Sequence, residues 1–190
     1  MPTTKLRRGF VKEANEWAID LRQELNLLPQ EPMCPWRLSK HLRVRIIPLS
    51  ALRQCPERTL LFQRRKGCGF SAAVCFDGIE AFIVINDIND PKRQVSDIAH
   101  ELAHVLLRHP PSNPFHADGI REFSAEHELE AERLGPTLLV SGHAALEAYR
   151  SISSGAHTLS SLSDTWNITE DVIRMQINLS GAKKRFRNAA

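Results

Sequence analysis

At 190 residues, with 42% hydrophobic and 25% charged side chains and a formal net charge of +3 at neutral pH, the chain can bury one core and is too nearly neutral for charge alone to imply nucleic acid. No apolar stretch approaches the ~20 residues that span a bilayer, and the basic N-terminus runs into Glu13, Glu16 and Asp20 rather than an apolar segment, which argues against a secretory leader. Cys34, Cys55, Cys68 and Cys75 are irregularly spaced, without a C-x-x-C pair, so the expectation is reduced thiols in a cytoplasm.

Phe10, Ala14, Trp17, Ala18, Leu21, Leu25 and Leu28 recur at steps of three and four and predict a first amphipathic helix. A short helix over Trp36 to Leu42 and a strand over Val44 to Leu49 follow. Two β-prone runs, Phe70 to Phe76 and Ile79 to Asn86, are joined by Asp77-Gly78, which predicts a hairpin whose tight turn has positive φ at both central positions. Ile83, Val84 and Ile85 are apolar on both sides, so the second strand should be buried. Its edge is also a place where an extended substrate can pair.

Arg93 to Arg108 predicts a helix with Val95, Ile98, Leu102, Val105 and Leu106 inward, ending at His109-Pro110-Pro111. A proline-containing loop runs to about Glu122, and a second helix spans about Phe123 to Leu134. Gly135-Pro136 is expected to break or kink it, because Pro136 has no N–H for the carbonyl of Glu132. Thr137 to Tyr149 reads as helical. After a Ser-rich joint come two short helices, the last capped by Thr169 and closed by Ser180-Gly181. These boundaries divide the chain into residues 1–150 and a small helical unit over 151–190 with a basic tail.

The chemistry concentrates in His100-Glu101-Leu102-Ala103-His104. Histidines four apart on a helix share a face and can bind one metal ion, while Glu101 beside them can act as general base toward a water at that metal. Imidazole with carboxylate suits zinc, with manganese as the alternative ion. A surface helix with two solvated histidines is the bland reading, but the apolar neighbours Ala99, Leu102, Ala103, Val105, Leu106 and Leu107 bury this segment, where imidazoles need partners.

A catalytic site needs a third protein ligand. A metzincin-type third histidine is excluded, since Leu107 stands where that motif needs glycine and Pro110 where it needs histidine; His109 is one residue out of register. A glutamate from the following helix is the other source. Glu128 and Glu132 share a face, so one can bind metal while the other holds a ligand histidine, whereas Glu130 points elsewhere and is expected to be solvated. For the oxyanion, Tyr149, His116, His127 and Arg121 are the candidates.

Ser96 to His104, followed by Glu128-x-Glu130-Ala131-Glu132-x-Leu134 and Leu138-Leu139-Val140, resembles the ImmA/IrrE family of metallo-endopeptidases; the Cys34-Pro35-Trp36 turn and the strand ending in Ile85-Asn86 fit it too. The resemblance runs from about Phe10 to Gly181. It implies a compact α/β (α+β) zincin fold, with a small, mostly antiparallel sheet packed on the helix of the histidine motif and a glutamate from the next helix completing the site. Matched by its place before Leu138-Leu139, that ligand is Glu128. The metal set is then His100, His104 and Glu128, with Glu101 as the catalytic base.

The resemblance further implies a helix-turn-helix transcriptional repressor as substrate, cleaved to release stress or mobile-element genes. Leu159 to Phe186, ending in Lys183-Lys184-Arg185-Phe186-Arg187, resembles the helix-turn-helix that some family members carry, so DNA contact is a further expectation, though its face is sparse in base-reading side chains. The contrasting reading is a DNA- or protein-binding regulator that keeps the metal fold without proteolysis. An intact Glu101 argues for the peptidase, since a structural metal has no need of a base there.

Overall fold

The computed structural model describes residues 5–52, 70–110 and 124–189. Within them lie α1 (Phe10–Glu24), α2 (Pro35–His41), β1 (Arg45–Pro48), β2 (Ala72–Asp77), β3 (Glu80–Ile85), α3 (Pro91–Leu106), α4 (Ala125–Leu139), α5 (Gly142–Ser153), α6 (Leu159–Trp166), α7 (Glu170–Leu179) and α8 (Ala182–Ala189). The proline-containing loop after His109 falls largely outside the described residues. The architecture is mixed α/β, as expected.

The sheet has the order β1-β3-β2. β3 pairs antiparallel with β2 over six residue pairs and parallel with β1 over four. Where β3 has partners on both sides it is buried on both faces at its end, which is why Ile83, Val84 and Ile85 are all apolar and all inside. β3 is therefore central and offers no edge to a substrate, contrary to the expectation for Ile79 to Asn86. Among the described strands the edge beside the histidine-motif helix belongs to β2.

The hairpin turn is also displaced by one residue. Asp77 pairs with Glu80, so the central positions are Gly78 and Ile79. Gly78 has φ +59 and Ile79 does not share the left-handed conformation. That is the pattern of a turn with glycine at its first central position, and it needs one permissive residue rather than two.

Asp90 starts α3: its side chain accepts from the amides of Lys92 and Arg93, and Pro91 occupies the first turn, where its missing N–H costs nothing. Ile98, Leu102 and Ala103 then face a core that also takes Phe10, Ala14 and Leu21 of α1, Ile83 and Ile85 of β3, and Ala131, Leu134 and Leu138 of α4. A second cluster joins Val95 and Ala99 of the same helix to Leu139 and Val140, to Ala144, Ala145 and Ala148 of α5, and to Leu162, Ile168, Ile173, Ile177 and Ala182. α3 thus supplies side chains to both clusters.

Gly135-Pro136 neither breaks nor ends α4, which continues to Leu139. Pro136 deprives the carbonyl of Glu132 of a donor, but Glu132 is exposed and water can take that place. Glycine at 135 serves a different need. A Cβ there would lie 3.0 Å from both N and Cα of His100 and 3.1 Å from the carbonyl carbon of Ala99, so the two helices touch backbone to backbone beside His100. The helix expected over Thr137 to Tyr149 is instead divided at Val140-Ser141, where Ser141 caps α5 by accepting from the amide of Ala144.

Arg22 of α1 is fully buried. Its guanidinium donates to the carbonyls of Ala18 (2.8 Å), Glu31 (2.9 Å) and Leu139 (3.0 Å), tying α1 to the end of α4. Burial pulls its pKa down to about 10.

Candidate metal centre

His100 and His104 project from one face of α3, and Glu128 reaches them from the first turn of α4. His100 Nε2 and His104 Nε2 are 3.1 Å apart. The Glu128 carboxylate lies 3.4 Å from each, through Oε2 to His100 and Oε1 to His104. His100, His104 and Glu128 form a group of three residues that could hold a metal ion among the described residues, with one ligand atom from each lying within 4.8 Å of the others. A tetrahedral zinc bound at 2.0–2.1 Å separates its ligand atoms by about 3.3 Å. The two imidazole nitrogens meet that spacing, each has an oxygen of the Glu128 carboxylate at 3.4 Å, and the donor set suits zinc.

The electrostatics point the same way. Burial, with the neighbouring His100, pushes His104 down to about 4, so it is neutral and its Nε2 lone pair is available. Burial also works against charge on His100, but the hydrogen bond to Glu128 and the charges of Glu101, Glu128 and Glu132 outweigh it and raise its pKa. Two ring nitrogens at 3.1 Å cannot both carry a proton toward each other. Metal taken up here would displace the proton that His100 otherwise shares with Glu128.

Glu101 reaches the sheet through its Oε2, which accepts the Val74 amide at 2.8 Å, and its charge acts on His100. The Asn86 amide donates to the Ser71 carbonyl, so Ser71, Ala73 and Cys75 bond inward to β3. By the alternation of antiparallel pairing, Ala72, Val74 and Phe76 then turn their N–H and C=O groups to the outer edge. The candidate base is thereby anchored on the strand edge that borders the metal group.

Glu132 lies exposed and acts on His100 through its charge. Glu130 is not solvated as expected: its side chain is 14% exposed and receives His109 Nε2 (3.1 Å) and Arg7 Nε (2.6 Å). These two contacts hold its pKa below the usual carboxylate value despite its burial. Of the oxyanion candidates, His127 stacks on His109 at 4.3 Å, while Tyr149 packs edge-on against Phe186 in the C-terminal cluster. His116 and Arg121 fall outside the described residues.

His109 and Glu130 escape sequence reasoning because a turn brings them in. Arg108 adopts φ +54, and the amides of Arg108 and His109 donate back to the carbonyls of Val105 and His104. This left-handed helix end normally advertises itself with glycine; arginine gives no such signal. It folds His109 back beneath His104.

A peptidase family profile described as the IrrE N-terminal-like domain matches residues 62–178, more than half of the chain and all of the metal group. The chain belongs to this family. No curated protein and no solved structure matches it. Membership in the IrrE-like family supports a metallopeptidase-type domain and suggests a metal, and His100, His104 and Glu128 form a group that could bind one.

Proposed function

We propose that the protein is a zinc-dependent endopeptidase, with His100, His104 and Glu128 as ligands and Glu101 as general base. The observation that carries this reading is the meeting of His100, His104 and Glu128, with the two imidazole nitrogens 3.1 Å apart and a Glu128 oxygen 3.4 Å from each, beside a second carboxylate, that of Glu101, held by the Val74 amide. Zinc held there would supply a Lewis acid for the scissile carbonyl and make water acidic near neutral pH. The outward amides and carbonyls of Ala72 and Phe76, with the Val74 carbonyl, align an extended peptide by main-chain pairing. The Val74 amide steadies the Glu101 carboxylate. Glu101 takes a proton from the attacking water and returns it to the leaving amine.

The substrate we infer is a helix-turn-helix transcriptional repressor, which puts the reaction in the cytoplasm. No helix among the described residues is long and apolar enough to cross a membrane. The α6–α7 pair, turned by Asn167 at φ +52, has the order of a helix-turn-helix. Its second helix offers little to DNA, however: Gln176 is buried against Thr137, and Arg174 is engaged by Asp171 and Glu170. We therefore assign the repressor to the metal cleft and leave DNA binding without a role.

Zinc-loaded protein incubated with a repressor encoded beside its gene is expected to cut it at one position, a chelator to stop the cut, and added zinc to restore it. An intact repressor in the presence of protein carrying one zinc per chain would remove this substrate class and leave the metal centre standing.

A further inference from the structure

His104 does more than meet Glu128 and His100. Its Nε2 faces both of them, so its single proton belongs on Nδ1, which lies 2.9 Å from Nδ1 of His109. His109 must then accept at Nδ1 and carry its own proton on Nε2, 3.1 Å from Glu130 Oε2. Glu130 Oε1 in turn accepts from Arg7 Nε, 123 residues away in sequence. Each N–H along the path from His104 through His109 to Glu130 thus meets an acceptor, and Arg7 donates in addition to Glu13 through Nη2 at 2.6 Å. His104 and His109 are both buried, and the imidazole of His127 covers one face of His109 at 4.3 Å with an interplanar angle of 18°.

A metal-binding histidine usually donates its second N–H directly to a carboxylate or carbonyl, which fixes its tautomer and raises its basicity. Here an imidazole stands between the ligand and the carboxylate. We propose that His109 and Glu130 are positioning residues that hold His104 in its metal-binding tautomer and orientation, with Arg7 anchoring the far end. The inference rests on the metal-centre reading above. Arg7 is half exposed, so its ion pair with Glu130 is the weakest part of the chain.

The test measures zinc affinity by competition with a chromophoric chelator, and the visible spectrum of the cobalt-substituted protein, in the full chain. Wild type binding no metal would fail the metal centre itself. Given one site in wild type, His109→Leu is expected to bind zinc about 10- to 100-fold more weakly, the usual range for losing such a support, and to alter the cobalt spectrum. His109→Asn places an amide oxygen where Nδ1 stood, so it should recover most of that affinity, which a packing role would not allow. Wild-type affinity and spectrum in His109→Leu, or His109→Asn binding as weakly as His109→Leu, would overturn the proposal. Should His109→Leu not fold, Glu130→Leu decides: weakened zinc binding with an unchanged far-ultraviolet circular dichroism spectrum is expected, and wild-type affinity overturns it.

Discussion

Glu101→Gln is expected to lower peptide cleavage by roughly 10²- to 10⁴-fold, the range for removing a general base, while leaving one zinc bound per chain. The substitution is nearly isosteric. The amide oxygen of glutamine can still accept from the Val74 amide, so the contact that positions residue 101 survives. The three ligand atoms do not include Glu101, so metal content should not change. What disappears is the ability to take a proton from water, a loss expected in kcat rather than in KM. Cleavage rates of the two proteins at equal zinc occupancy check this. Undiminished cleavage would remove Glu101 from the mechanism, and loss of zinc would make it a ligand instead.

The largest expected loss of stability comes from Arg22→Ala. The change empties a fully buried volume and leaves the carbonyl of Glu31 without its donor. Leu139 keeps the Met33 amide as a partner, so its carbonyl is not stranded. A cavity left by a long side chain, together with a partly buried carbonyl that loses its donor, costs on the order of 3–5 kcal/mol, against a total stability of about 5–15 kcal/mol for a domain. The denaturant midpoint of the metal-free protein should fall accordingly. A shift comparable to that of a surface arginine would mean that α1 is not held through this residue. Because Arg22 ties α1 to the end of α4, the helix that carries Glu128 in its first turn, the variant should also bind zinc more weakly.

The parts of this site legible in the sequence are those encoded locally. His100, Glu101 and His104 share a helix whose period is plain from Val95, Ile98 and Leu102, and the structure places all three near the sheet and α4 as that period requires. Glu128 is legible as one of two glutamates on a face, and the resemblance to the ImmA/IrrE family selects it. Glu130 is misread because its partners lie far off in sequence: Arg7 is 123 residues before it, and His109 comes within reach through a left-handed arginine. The uninterrupted passage of α4 through Pro136 is hidden for a similar reason. Helix propensity counts the lost hydrogen bond, but not the contact of Gly135 with the backbone of His100 that holds the two helices together. Edge and centre of the sheet are likewise undetermined locally, since β1 reaches β3 by a parallel pairing that no turn announces.

The central claim is that three side chains hold one catalytic metal, and metal stoichiometry tests it most directly. Purified wild type, His100→Ala, His104→Ala and Glu128→Ala should be stripped with a chelator, titrated with zinc, and assayed for bound metal and affinity. One tightly bound zinc per wild-type chain, none retained by either histidine variant, and a marked loss of affinity in Glu128→Ala are the expected results. Undiminished zinc binding by Glu128→Ala would contradict the site described here.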